Sequence, residues 1–270
     1  MTAQKPISGS QLADADVVRI LKAALNRPPN SDIFYPVFQA VFDANTKELM
    51  GYEALYRLSI PPYDNIPPER FIHLAEKYNL MVELGRSIQK NVFETFKHIH
   101  QKQPHLTLSI NASIEELSQP KYVDNLIQAL DDASLPYHTL CVEITESLLI
   151  DRFEPMVKTL NALKANRIKV ALDDFGKGYS TLTHLVELKL DIVKIDKYFS
   201  RKALEEPQYE TFLSGLVFML RALNVVVIIE GIESEEQFTF FSRLGVHQMQ
   251  GYYLHEPQTL SELQKKSPQP

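Results

Sequence analysis

Seven short β-rich runs along this chain end on a polar residue able to meet a cation or a proton: Glu53, Asn111, Glu143, Asp173, Lys194, Glu230 and Gln250. Helix-patterned sequence follows each run. Strand side chains alternate in direction, so a β/α chain with one polar group at strand exit after strand exit describes a closed barrel whose working rim lies at the strand C-termini. The length of 270 residues suits one such (β/α)8 barrel. A composition 44% hydrophobic and 23% charged can bury its core. The expected organisation is a leader and short helix over residues 1–30, a barrel over 31–260 and a tail over 261–270.

The pattern sets the elements. An amphipathic helix is expected within Gln11–Leu25. Ile33–Phe42 and Leu49–Tyr56, separated by the polar turn Asp43–Glu48, predict a hairpin, hence one antiparallel strand in an otherwise parallel α/β barrel. Ile60–Pro68, with four prolines, predicts a loop, and Pro68 is placed to start a helix. A long helix follows from Met81, then strand Leu106–Ile110 and helix Ile114–Leu130, capped by Ser113 with Glu116. Further strands are expected at Leu140–Ile144, Lys169–Leu172, Ile192–Ile195, Val225–Ile229 and Gln248–Tyr253. The helices between them are Glu154–Asn166, Thr181–Leu188, Tyr209–Leu223 and Glu235–Leu244. The stripe Phe212, Leu216 and Met219 is assigned to the core, and His98 and His100 to the surface.

Charge and cysteine narrow the function classes. A net charge of −6 speaks against broad contact with DNA or an anionic membrane, so an anionic substrate needs local cations. The lone Cys141 excludes an intrachain disulfide and cysteine-based zinc. No signal peptide or spanning helix is evident, and a cytoplasmic setting is expected, including as the cytoplasmic part of a membrane-anchored protein.

At the rim, Glu53, Asn111, Glu143 and Asp173 form an oxygen-only set suited to Mg²⁺ or Mn²⁺, and Asp174 and Glu230 could hold a second ion with Asp173 between. Two such ions, about 3.5–4 Å apart, clamp both oxygens of a phosphodiester displacement. Carboxylates clustered without cations repel one another, so the crowding itself calls for metal. Lys194 is placed to orient the attacking water or stabilise phosphorane charge, and Arg57 to fork a phosphate oxygen. Taken singly, an Asp-Asp pair also caps turns, and Lys194 or Arg57 also serves in structural ion pairs. The joint pattern carries the reading.

These residues resemble the signatures of the EAL-domain cyclic di-GMP phosphodiesterases. The resemblance runs through Gly51-Tyr52-Glu53-Ala54-Leu55-Tyr56-Arg57, Ser109-Ile110-Asn111, Glu143-Ile144-Thr145-Glu146, Asp173-Asp174-Phe175-Gly176-Lys177-Gly178-Tyr179-Ser180, Lys194-Ile195-Asp196, Glu230-Gly231-Ile232-Glu233 and Gln250-Gly251-Tyr252. It implies a modified barrel with one antiparallel strand and hydrolysis of cyclic di-GMP to linear 5'-pGpG with two Mg²⁺ or Mn²⁺ ions. It further implies Glu53, Asn111, Glu143 and Asp173 at the first ion, and Asp173 and Asp174 at the second. Lys194 would position water, with Glu230 near the second ion or acting as base. Leu55 and Arg57 would contact substrate, Glu233 and Gln250 would support the site, and Gln250 would reach the substrate. Glu146 would anchor the loop Phe175–Ser180, including Gly176, which links metal occupancy to a homodimer interface. Attached sensory or cyclase domains fit the same resemblance.

Four positions depart from the common pattern: Leu58 for Trp, Lys177 for a small residue, Gln39-Ala40 for Gln-Pro, and the tail Leu254-His255-Glu256-Pro257. Two other functions compete with the enzyme: a catalytically silent cyclic di-GMP receptor that signals through a partner, and a barrel lyase using Lys194 as a Schiff-base amine.

Overall fold

The structure, a computed structural model, describes residues 12–25, 33–59, 65–145, 153–176 and 182–265. The leader before residue 12 and the end of the tail lie outside them. Strands β1 (Phe34–Asp43) and β2 (Leu49–Ser59) form the expected hairpin, with Gln39 opposite Glu53. The other strands are β3 (Asn65–Ile66), β4 (Thr107–Asn111), β5 (Leu140–Thr145), β6 (Lys169–Phe175), β7 (Ile192–Ile195), β8 (Val226–Ile229) and β9 (Gln248–Met249). Parallel pairing runs from β2 through β4 to β9, and β1 closes the ring by pairing antiparallel with both β2 and β9. The result is an eight-stranded barrel with one antiparallel strand, and β3 lies outside the ring, on the edge of β2.

Helices α1 (Asp14–Leu25), α2 (Pro68–Lys77), α3 (Met81–His100), α4 (Ile114–Leu117) and α5 (Tyr122–Ala133) cover the first half. Helices α6 (Phe153–Ala165), α7 (Leu182–Leu188), α8 (Lys197–Glu205), α9 (Pro207–Ala222), α10 (Glu235–Leu244) and α11 (Leu260–Leu263) follow. The main core lies between strands and helices, where Phe34, Phe38, Phe42, Phe71, Phe93, Phe96 and Phe241 are fully buried. None of the helices among the described residues is long and apolar enough to cross a membrane.

A second, smaller apolar cluster positions the site. Val41, Cys141, Ala171, Ile192 and Ile228 pack together apart from the main core. Each sits two residues along the chain from a rim residue, namely Gln39, Glu143, Asp173, Lys194 and Glu230. Because strand side chains repeat every second residue, the same face carries an apolar floor and, one step higher, a polar layer. That floor shields the rim groups from water on one side.

Several expectations need correction. The helix expected over Ile114–Leu130 is two helices, since Pro120 lacks the N–H that a continuous helix needs. The capping box at Ser113 and Glu116 is present, but it caps only the four-residue α4. Part of the Ile60–Pro68 loop is strand β3, and β9 ends at Met249 instead of reaching Tyr253. Helix α8 was not foreseen. It starts where the Asp196 side chain accepts the Tyr198 N–H. Phe212 is half-exposed, because the buried face of α9 is Leu213, Leu216, Val217 and Leu220, about one residue around the helix. His98 is exposed as expected, but His100 is half-buried, its ring 6.2 Å from that of Phe96.

Candidate active site

The rim residues converge on one ammonium. Lys194 Nζ lies 2.7 Å from Glu143 Oε2, 2.8 Å from Glu230 Oε1, 3.0 Å from Glu53 Oε2 and 3.3 Å from Asp173 Oδ1. Its side chain is 1% exposed, so it meets this charge with little help from water. Asn111 Nδ2 donates to Glu53 Oε1 at 3.1 Å, and Gln250 Nε2 donates to Glu53 Oε2 at 2.8 Å. Strand register explains the meeting: Asn111 pairs with Glu143, and Glu143 with Ala171, two residues short of Asp173.

Asp173 and Asp174 are sequence neighbours, and a regular strand would aim them to opposite faces. Strand β6 instead shifts register between Leu172 and Phe175, and Asp174 takes a left-handed backbone with φ 56°. Asp tolerates that region better than bulkier residues, at a cost of order 1 kcal/mol. The irregularity brings carboxylate oxygens of Asp173, Asp174 and Glu230 within 4.8 Å of one another. Asp173 and Glu53 therefore lie inside their strands, not at the ends: β6 continues to Phe175 and β2 to Ser59.

Electrostatics follow from this crowding. Burial pushes the Glu143 carboxyl well above its usual value, Lys194 opposes the rise, and Glu53 and Asp173 add to it. Burial likewise raises Asp173 against the pull of Lys194, with Glu53 and Asp174 adding to the rise. Glu230 is pushed up to about 8, by burial first and then by Asp173 and Glu53, against Lys194. Glu53 goes the other way: burial would raise it, but Lys194 and the hydrogen bonds from Gln250, Lys194 and Asn111 outweigh burial. Burial favours a neutral Lys194, yet the four carboxylates hold it well above the usual lysine range. A charged ammonium is a poor nucleophile, which removes the basis of the Schiff-base lyase reading.

The donor set fits divalent cations. Among the described residues, one ammonium faces four carboxylates, with Asp174 beside them, and Asp173 Oδ1 is buried without a hydrogen bond. All these donors are oxygens, the chemistry that Mg²⁺ and Mn²⁺ select.

Around the cluster, Leu55 and Arg57 line a cleft of about 320 Å³ together with Asn111, Glu115 and Thr145, while Arg57 Nη1 donates to the Tyr56 carbonyl. Phe175 is buried, and Gly176 has φ 103°, where a Cβ would sit 1.9 Å from the Phe199 ring. Gly251 lets the chain pass the backbone of Ile232 so closely that a Cβ would lie 2.2 Å from its N and O atoms; this contact seats Gln250, whose carbonyl accepts the Ile232 N–H. Glu233 is not drawn into the cluster. Its side chain is exposed, and its backbone N–H donates to Gln237 Oε1. Glu146 and Lys177 lie outside the described residues.

Three supporting residues were not assigned roles from sequence. Gln39 Oε1 accepts from Gln250 Nε2 at 3.0 Å, the His255 carbonyl lies 3.4 Å from Gln39 Nε2, and the buried Ser200 hydroxyl lies 3.0 Å from the Glu230 carbonyl. Gln39 was named only as the neighbour of Ala40, which departs from the common Gln-Pro, and His255 only within the departing tail Leu254–Pro257; Ser200 gave no signal.

The EAL domain family model matches residues 7–257. The chain belongs to the EAL domain family. Among curated relatives of this EAL chain, it is 33% identical over 242 residues to the Probable cyclic di-GMP phosphodiesterase PdeG of Escherichia coli K12, covering 89% of this chain and 48% of that protein. It is 32% identical over 210 residues to the Cyclic di-GMP phosphodiesterase PdeR of the same organism, covering 78% and 32%. The chain thus spans about a third to about a half of the length of these relatives. Among solved structures, the PaMucR phosphodiesterase in complex with c-di-GMP matches with a TM-score of 0.85 at 28% identity, over 92% of this chain and 99% of that one.

Proposed function

We propose that this EAL domain is a phosphodiesterase that opens cyclic di-GMP to linear 5'-pGpG with two divalent cations, Mg²⁺ or Mn²⁺. The observation that carries the reading is the excess of carboxylates over cationic groups at one barrel mouth, four around a single ammonium among the described residues. Glu53, Asn111, Glu143 and Asp173 would hold one ion, and Asp173, Asp174 and Glu230 the other. Bound there, the ions supply charge neutralisation for the phosphodiester and its attacking and leaving oxygens.

The chain's own residues do the rest. Lys194 Nζ, fixed by its carboxylates, orients the attacking water and stabilises charge on the phosphorane. Glu230 takes that water's proton as oxygen bonds to phosphorus, the P–O3' bond breaks, and the 3' oxygen is protonated from solvent. Leu55 offers an apolar surface to a guanine in the neighbouring cleft, Arg57 pairs with a phosphate oxygen, and Gln250 keeps Oε1, buried and without a hydrogen bond among the described residues, as an acceptor for substrate.

Assembly as a homodimer is supported by an aromatic face on α8 and α9. Phe199, which covers Gly176 next to the Asp173–Asp174 irregularity, stacks at 5.7 Å on the half-exposed Phe212, and Phe218 is 77% exposed. The greater length of the relatives supports attachment to sensory or cyclase domains, with this part in the cytoplasm.

Chromatography of cyclic di-GMP incubated with the chain tests the activity. Mn²⁺ or Mg²⁺ should give pGpG, and excess chelator should abolish it. Retention of the dinucleotide without product would favour the silent receptor instead.

A pH signature accompanies metal binding. Glu230, with its folded pKa raised to about 8, binds its proton more tightly folded than unfolded, so its contribution to stability is present at acid pH and lost as pH rises through about 8. Glu143 and Asp173 are shifted in the same direction. In chelator, the melting temperature should therefore fall between about pH 6 and pH 9, and Mn²⁺ should raise it more at the upper end. Calorimetric melts with and without Mn²⁺ check this; a melting temperature that rises with pH in chelator would contradict it.

A further inference from the structure

The barrel has a seam where β9 stops. Strand β9 pairs with Phe42 and Asp43 of β1, so among the described residues the edge of β1 nearer the rim has no strand partner there. The segment His255–Gln258 covers it. Phe38 and Gln258 exchange two backbone hydrogen bonds of 2.7 and 3.0 Å, and the Ala40 N–H donates to His255 Nδ1 at 3.3 Å. The imidazole stands where a neighbouring strand would offer a carbonyl. This contact requires a backbone N–H at position 40, which proline would not supply.

The same residue reaches the site by a second route. The His255 carbonyl accepts from Gln39 Nε2, so Gln39 turns Oε1 toward Gln250; Gln250 Nε2 then bridges Gln39 Oε1 and Glu53 Oε2. All four residues are buried. An amide has one donor end and one acceptor end, so fixing one glutamine fixes the next. If Gln39 turned over, its Nε2 would face Gln250, and Gln250 would be drawn to present Oε1 there. That would cost Glu53 a donor and remove the open acceptor.

We propose that His255, locked by the Ala40 N–H, is a positioning residue that sets the amide orientation of Gln39 and Gln250 and so the placement of Glu53. The kinetic part rests on the phosphodiesterase reading; the orientation itself does not. His255→Phe removes the acceptor and keeps a ring beside Tyr52, whereas His255→Asn keeps an acceptor near the Nδ1 position.

In Mn²⁺, His255→Phe should lower kcat/KM for cyclic di-GMP about tenfold, kcat falling with the displaced Glu53 and KM rising with the lost Gln250 acceptor, the scale of one misplaced hydrogen bond. His255→Asn should stay within about threefold of the parent on the same scale. Ala40→Pro should match His255→Phe, and the double variant should be no worse than either alone. In chain labelled with ¹⁵N-glutamine, the side-chain amide signals of Gln39 and Gln250 should move together in His255→Phe and stay in place in His255→Asn. Multiplying losses, an Asn variant as impaired as Phe, or glutamine signals unmoved by His255→Phe would each overturn the proposal. If the parent chain shows no turnover, the phosphodiesterase reading fails, and the glutamine signals alone decide the orientation device.

Discussion

Asp173→Asn should leave a chain that folds at least as well as the parent without cations and turns over cyclic di-GMP roughly a thousandfold more slowly. The two halves of this result come from one change of charge. Asp173 is 13% exposed and sits among Glu53, Glu143, Asp174 and Glu230, with Lys194 Nζ 3.3 Å away. Its carboxyl is raised because burial and like charge oppose ionisation. An isosteric amide removes that repulsion, so the metal-free protein gains or holds stability. The same amide withdraws the oxygen proposed to lie between both cations, and with it several kcal/mol of transition-state stabilisation. Melting in chelator, paired with single-turnover rates in saturating Mn²⁺, checks both halves. Wild-type rates would remove Asp173 from the proposed machinery.

Lys194→Met should do the opposite to stability and the same to turnover. The ammonium is the common partner of Glu53, Glu143, Asp173 and Glu230 at 2.7–3.3 Å. Removing one side of a buried ion pair commonly costs about 3–5 kcal/mol, because the charge left behind has neither water nor partner. Here the abandoned carboxylates can take up protons, so the loss should be smaller near pH 6 than near pH 8. Divalent cations should recover more of the folding stability in Lys194→Met than in the parent, since they replace the missing positive charge. Turnover should stay lost, by about a thousandfold or more, because the group proposed to orient water is gone. Denaturant titrations at two pH values, with and without Mn²⁺, measure the first effect. A Met variant as stable as the parent in chelator at high pH would contradict the electrostatic account.

The period-two pattern made much of the barrel readable. Polar Glu143, Lys194 and Glu230 each follow an apolar residue two positions earlier, and those pairs became rim and floor. The hairpin was readable because Asp43–Glu48 is a polar break between two apolar runs, and Pro68 because proline suits a first helical turn. What stayed hidden has physical causes. A register shift at Asp173–Asp174 leaves no compositional mark, so a strand that runs through reads as a strand that ends. The break at Pro120 was visible, but apolar spacing on both sides of it imitated one helix. Phe212 and Leu216 have helical spacing, yet the buried stripe runs through Leu213, and only packing decides which neighbouring stripe faces inward. The contacts of Gln39 with Gln250 and His255 join residues 211 and 216 apart, a distance that no local pattern spans.

Glu53, Asn111, Glu143, Asp173, Asp174 and Glu230 are proposed to bind two divalent cations together at one barrel mouth. Anomalous diffraction from crystals equilibrated with Mn²⁺ tests it most directly. Two peaks are predicted, one against Glu53, Asn111, Glu143 and Asp173, the other against Asp173, Asp174 and Glu230, both lost on exchange into chelator. No peak within coordination distance of Asp173 at saturating Mn²⁺ would contradict it.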